Sequence, residues 1–349
     1  MSKKRVTIKD IANKLDVSYA MINRALNNKS GISDELREKI LKTADELGYR
    51  INKVAQSMAR NTIIIGIVIP TYWHEYFSVL KKGIDSELNI LLDYNVSSKY
   101  YTISNNNTGR ETICALRECI KDKVHGILLC DVFPTGLDKI FAELKDNNIP
   151  IVTIGSSPNL NNESLCSVRV DAYHSGKMAA EMLSYLTPKD ADFIVFVGNK
   201  DNLEHRQKIE GFKECANSYN MNLIGVYETH DDENIALSLL KIIIDKNNTP
   251  HGIYSATSNS AAICKFVEDN KSNIKIVSTD VNKEIAEYIK KGIIQCTIFQ
   301  NLEKHGRTAV RVLYEYLAEH KTNEKTIYIT PNLVIKSNLD IYFNDETSQ

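Results

Sequence analysis

Along residues 7–47 the apolar positions recur every three to four residues, which predicts three short helices. Ile8, Ile11, Ala12 and Leu15 form one stripe. Met21 or Ile22, with Ala25 and Leu26, forms a second, and Leu36, Ile40, Leu41, Ala44 and Leu47 a third. Thr7 with Asp10 three residues on reads as a capping box, Ser18 and Ser33 read as caps, and Gly48 as a stop. Three helices of this size close a small core around a helix-turn-helix, a unit that offers its second helix to the DNA major groove. Tyr19, Ala20, Asn23, Arg24 and Asn27 are left pointing outward. Between Arg50 and Arg60, Asn52 can cap a further helix with Val54, Ala55, Met58 and Ala59 on one stripe. A helix that short is not stable alone in water, so it is expected to form only when docked, as a hinge.

From residue 61 the pattern switches to apolar runs alternating with amphipathic stretches. Strands are expected at 63–70, 125–131 and 149–155, with helices at 77–92 and 137–147 and another strand–helix pair between. After Asp171 the grammar repeats. Strands fall near 193–198, 223–228, 252–256, 275–279 and 295–299, and helices near 174–186, 204–219, 232–246, 258–270 and 301–319. The fold class expected is therefore a small all-α helix-turn-helix domain followed by a two-lobed α/β core with parallel sheets. Ligands of open α/β sheets bind outside the carboxyl ends of the strands, so the cleft between the lobes is the expected ligand site. The organisation expected is a DNA-binding head over 1–50, a hinge helix over 51–61, and an effector-binding and dimerisation core over 62–349.

Charge sharpens this division. The 349 residues carry a net charge of only −1, yet residues 1–60 hold 13 Lys and Arg against 7 Asp and Glu. The remaining residues hold 30 against 37. A basic head on an acidic body suits a nucleic-acid binder with a separate sensing domain. The seven cysteines (114, 119, 130, 166, 215, 264 and 296) are odd in number and contain no CxxC pair. They read as reduced, mostly buried residues of a cytoplasmic protein, and no metal site is expected. No apolar stretch follows the basic N-terminus and no run reaches membrane length, so neither a signal peptide nor a membrane partner is expected.

The pieces TIKDIANKLDVS, the second helix through Asn27, and GYRINKVAQSMA resemble the DNA-binding head of the LacI/GalR family of bacterial transcription regulators. The remainder is similar to the type I periplasmic-binding-protein-like core of that family, so the resemblance covers nearly the whole chain. It implies a homodimeric repressor of carbohydrate-utilisation genes that binds double-stranded operator DNA under the control of a small-molecule effector, a sugar or sugar derivative. No cofactor and no catalytic residues are implied.

The resemblance places Tyr19 and Ala20 at the start of the recognition helix, with Asn23 beside them and Arg24 as base reader. A guanidinium pairing with guanine O6 and N7 gives roughly 1–3 kcal/mol of discrimination. Thr7, Ser18 and Asn27 would hold phosphates, which set register rather than sequence. In the hinge, Asn52, Val54 and Ala55 accompany Met58, which stands where the family wedges a leucine into the minor groove. Ile51 stands where the family has proline. In the core, the loop PTYWHEYF offers Trp73, His74, Tyr76 and Phe77, the aromatic rings at sugar-stacking positions. Lys208 holds the slot of an arginine that grips hydroxyls, with Arg206 as a substitute, and Asp280, Gln300, Thr257 and Asn259 are further polar readers. Gly155-Ser156 stands where sugar binders often carry Asp-Arg.

Two other classes fit less well. A solute-binding transport component would need an export signal and no helix-turn-helix. An enzyme reading finds no G-x-G-x-x-G after the first strand, no G-x-x-x-x-G-K-[ST] and no G-x-S-x-G. A regulator of a non-sugar metabolite stays open. The polar tail after residue 337 lacks leucine heptads, so a dimer rather than a tetramer is expected.

Overall fold

The computed structural model describes residues 6–26, 30–47, 49, 61–71, 74–104, 109–130, 136–155, 164–246, 248–257 and 259–343, the side chains of residues 74 and 75 excepted. Head and core are separate units.

In the head, α1 (Ile8–Leu15), α2 (Tyr19–Leu26) and α3 (Asp34–Glu46) enclose Ile11, Ile22 and Ile40, all fully buried, with Ala12, Ala25 and Ala44 around them. The N-terminal caps form as expected, and Gly48, the expected stop, lies outside the described residues. The Asp10 carboxylate accepts from both the Thr7 N–H and the Thr7 hydroxyl at 2.7 Å, and the Ser33 hydroxyl accepts from the Leu36 N–H at 3.3 Å. Of the two alternatives for the inner face of α2 the structure takes one, and one apolar position of α3 differs from expectation. Met21 yields the inner place to Ile22, and Leu41 is 45% exposed while Thr43 is buried. Leu41 follows Ile40 by one residue, a rotation of about 100° that carries it off the Ile40–Ala44 face.

The core has two six-stranded sheets. The elements of the first lobe up to its crossing are β1 (Ile63–Pro70), α4 (His74–Leu91), β2 (Val96–Ile103), α5 (Arg110–Lys121), β3 (Gly126–Leu129), α6 (Asp138–Asp146), β4 (Ile151–Ile154) and β5 (Cys166–Val170). Next come α7 (Ala172–Leu186), β6 (Asp192–Val197), α8 (Leu203–Ser218), β7 (Asn222–Glu228), α9 (Glu233–Asp245), β8 (Gly252–Ser255), α10 (Ala261–Asp269), β9 (Lys275–Thr279), α11 (Lys283–Lys291) and β10 (Ile294–Phe299). Finally α12 (Leu302–Glu319), β11 (Thr326–Ile329), β12 (Asn332–Val334) and the short α13 (Leu339–Tyr342) follow. The sheet orders are β11-β5-β4-β3-β1-β2 and β12-β10-β9-β8-β6-β7, parallel throughout except for the β10–β12 pair. The chain passes between the lobes after β5, after β10 and between β11 and β12. The Asp171 N–H, bonded to the Ile329 carbonyl at 3.1 Å, ties two of these passages together.

The two lobes repeat the same devices. In each, a histidine immediately precedes the third strand of the lobe, which opens on a glycine. His125 Nδ1 accepts the Ile64 N–H at 3.0 Å, and His251 Nδ1 accepts the Asp192 N–H at 3.1 Å. In each, two glycines let a pair of helices touch backbone to backbone. A Cβ on Gly83 of α4 would lie 2.1 Å from the Glu303 carbonyl oxygen of α12, and one on Gly176 of α7 would lie 1.9 Å from the Lys208 carbonyl oxygen of α8. Among the described residues no helix is long and apolar enough to cross a membrane.

Candidate functional site

On the head, Tyr19 is 54% exposed, and Ala20, Asn23 and Arg24 are also exposed on the same helix. The Arg24 guanidinium is held in place, Nη1 donating to the Gly31 carbonyl at 3.2 Å. The Arg37 guanidinium in turn donates to the Arg24 carbonyl at 3.3 Å. The Arg24 guanidinium is therefore already tied to the backbone of the turn after α2. Ser18 Oγ accepts the Met21 N–H at 3.4 Å, and the Thr7 hydroxyl points at Asp10. Asn27 and the hinge positions Asn52, Val54, Ala55 and Met58 lie outside the described residues.

In the core, the site grows from the first turns of α8. Asn202 caps that helix, its side chain accepting from the N–H groups of Glu204 and His205. Residues 204 and 208 then share one face of the helix. Lys208 is only 3% exposed and donates from Nζ to the Ala256 carbonyl at 2.9 Å. Burial lowers its pKa, and the surrounding carboxylates of Glu204, Asp280 and Asp231 hold it up. Each of these carboxyls is pushed upward by burial and pulled back by Lys208.

Asp280 follows β9 with a left-handed backbone, φ +58°. It accepts from the Gln300 backbone N–H at 2.9 Å and from Gln300 Nε2 at 2.6 Å. That pairing holds both polar readers at the end of the sheet, Gln300 being only 7% exposed. Asn259 Nδ2 donates to the Asp231 carbonyl at 2.6 Å, and the buried Thr257 accepts from Ser255 Oγ through its carbonyl at 3.2 Å.

The first lobe supplies Tyr76, whose pKa is raised by burial and then by Glu204 and Asp280, both of the second lobe. The Tyr76 ring of one lobe thus lies within electrostatic reach of the half-buried carboxylates that surround Lys208 in the other. Phe77 is buried, 4% exposed, and packs edge-on against the Tyr76 ring at 4.9 Å. Trp73 and the side chain of His74 lie outside the described residues.

Arg206 does not substitute for Lys208. It is exposed and donates to the Asp201 carbonyl at 3.1 Å, because two residues along a helix is about 200° of rotation. Glu204, Asp231 and Arg169 are site residues absent from the sequence expectation. Arg169 of β5 is 6% exposed and its charge acts on Glu204. The i,i+4 spacing of Glu204 and Lys208 is the one signal in the sequence that could have found any of them. The assembled groups offer hydrogen-bond donors and acceptors together with a ring. Among the described residues no group of three or more His, Cys, Asp or Glu is placed to hold a metal ion.

Comparison with known proteins accords with this architecture. Residues 65–322 match the periplasmic binding protein domain, and the core belongs to that class. Residues 7–52 match the bacterial regulatory proteins of the lacI family. With both parts present, the chain belongs to the LacI family and is a DNA-binding transcription regulator. It is 23% identical over 334 residues to catabolite control protein A of Priestia megaterium, covering 93% of this chain and 96% of that protein. Among solved structures, GanP, a glucose-galactose binding protein from Geobacillus stearothermophilus, superposes with a TM-score of 0.71 at 22% identity, over 80% of this chain and 99% of that one. A LacI-type transcriptional regulator from Bacteroides fragilis gives 0.69 at 18% identity, over 81% and 100%.

Proposed function

We propose that this protein is a cytoplasmic, homodimeric repressor of carbohydrate-utilisation genes whose hold on its operator is set by a sugar bound in the core cleft. The observation that carries the reading is the set of buried Lys208 and Gln300 with half-buried Asp280, whose charge is felt by Tyr76 of the other lobe, in a chain that also carries a helix-turn-helix head. Hydroxyls both donate and accept, and this set offers partners for both. The related catabolite control protein A and the glucose-galactose binding neighbour support a link to carbohydrate supply. Residues 1–50 act as the DNA reader, with Tyr19, Ala20, Asn23 and Arg24 at base edges and Thr7, Ser18 and Asn27 at phosphates. Residues 51–61 act as a hinge inserting Met58, and residues 62–349 bind effector and partner. The chain performs no catalysis in this reading, and a ligand recovered unchanged after incubation is the expected result.

The test is selection of binding sites from a random duplex library with the full-length protein at near-physiological salt. An enriched pseudo-palindrome with half-sites about one helical turn apart supports a dimeric regulator. Unselective binding that vanishes steeply with salt means that the head only touches phosphates, and the reading fails.

A further inference from the structure

Arg169 is the least satisfied buried charge of the site. It lies near the end of β5, just before the first passage between the lobes, and is only 6% exposed. One of its nitrogens is used: Nη2 donates to the Tyr328 hydroxyl at 3.0 Å, with the guanidinium 5.2 Å from the Tyr328 ring. Nε and Nη1 are buried and have no hydrogen-bond partner among the described residues. A buried donor left unmet is costly, and more so on a charged group, so such a group in a native protein calls for an explanation. Glu204 feels its charge from the second lobe, yet neither free nitrogen bonds to it.

The neighbouring strand presents no side chain beside it. Gly155 ends β4 and donates its N–H to the Val168 carbonyl at 2.9 Å, which sets it alongside Arg169 on the neighbouring strand. Among the described residues, nothing lies within 4 Å of a Cβ built at Gly155. One turn along α8 from Glu204, Gln207 Oε1 is also buried without a partner.

We propose that Arg169 is a specificity-determining residue of the cleft, donating from Nε and Nη1 to oxygen atoms of a neutral polyhydroxylated ligand, a sugar or cyclitol. This deepens the reading of the cleft as a sugar site and rests on it. The ligand is neutral because the charges are already spoken for: Arg169 and Lys208 share their surroundings with Glu204, Asp231 and Asp280. An anionic ligand would add a fourth negative group against two cations, in a site where burial already disfavours ionised carboxylates. What Arg169 lacks is acceptors, not a counter-ion.

The experiment uses the full-length protein and has two arms. In the first, ligand-free wild type, Arg169→Met and Arg169→Met/Glu204→Gln are melted side by side. The double variant melts no lower than wild type, since it removes unmet donors and the charge facing them. A fall of more than about 4 °C, roughly 2 kcal/mol for a domain this large, makes Arg169 a structural residue and overturns the proposal. In the second arm D-glucose, D-arabinose, myo-inositol and D-glucuronate are titrated calorimetrically. A neutral probe that binds wild type loses at least tenfold in affinity with Arg169→Met, and glucuronate binds more weakly than glucose. Unchanged affinity for the neutral probe, or glucuronate as the tightest ligand, overturns the proposal. Should no probe bind, the sugar reading of the cleft falls, and the melts alone decide whether the Arg169 donors are unmet in the empty protein.

Discussion

His305 is buried in the first turn of α12, 3% exposed, with Nδ1 paired to the Asn301 carbonyl oxygen at 2.9 Å. Burial pushes its pKa down to about 4, and His205 in α8 is likewise pushed down, to about 3. A histidine titrates near 6.5 in an unfolded chain. Between these values the unfolded chain binds the proton and the folded one does not, so the stability contributed is fully present above about pH 6.5 and lost as pH falls towards the folded value. For His305 the loss between pH 7 and pH 5 amounts to about 2 kcal/mol. Denaturant unfolding of His305→Gln at the two pH values should show a smaller acid loss than wild type by about that amount. An identical loss would mean that His305 is already charged in the folded protein. The residue scale is also where the sequence was least legible. Ser18, Thr7 and Asp10 could be read because caps act over three residues, whereas Lys208 and Asp280 were expected only through the family resemblance. Arg169 could not: its partner Tyr328 is 159 positions away, and nothing in the run CSVRV tells a buried arginine from a solvated one. Leu41 and Arg206 went wrong for a related reason, since one or two residues along a helix decide between inside and outside.

Elements were more legible than residues, because periodicity averages over many side chains. The long strand–helix alternation from Ile63 to Glu319 came out at nearly every element, whereas β5, α11, β11 and β12 were passed over. These are short: β5 alternates Ser and Arg with its apolar residues, and β12 has only three residues, so neither carries enough period to stand out. The helix crossings were invisible for a different reason, as a glycine in a helical stretch reads only as a weakness until its neighbour is known. The α7–α8 crossing bears directly on function, because the carbonyl that meets Gly176 belongs to Lys208 itself. A methyl group at 1.9 Å from that oxygen cannot be accommodated without parting the helices. Gly176→Ala should therefore lower stability by about 2–3 kcal/mol and weaken effector binding along with it, since the turn that holds Nζ against the Ala256 carbonyl must move. Thermal melts and a titration of the same sample check both. A destabilised variant with unchanged affinity would uncouple the crossing from the site.

At the scale of the whole molecule, a head that reads DNA and a core that closes on a ligand form a regulator only if the two events are linked. The cleft has what a two-state element needs, since Tyr76 stands on one lobe and Glu204, Asp280 and Lys208 on the other. A ligand touching both sets favours the closed arrangement by its differential affinity and by no more than that. Linkage is then reciprocal: if saturating effector changes operator affinity by some factor, saturating operator changes effector affinity by the same factor and in the same direction. Typical couplings are on the order of 1–3 kcal/mol, or about 5–150-fold. Fluorescence anisotropy on labelled operator, with and without effector, and calorimetric titration of effector, with and without operator, give the two factors independently. Their agreement is expected for wild type. Tyr76→Ala should abolish the coupling while leaving effector-free operator affinity within about threefold, because the mutation removes a cleft residue and leaves the recognition helix untouched. Two unequal factors would mean that the operator and the effector titrations are not reporting on the same pair of states. A Tyr76→Ala variant that still couples would place the two-state element elsewhere than in this cleft.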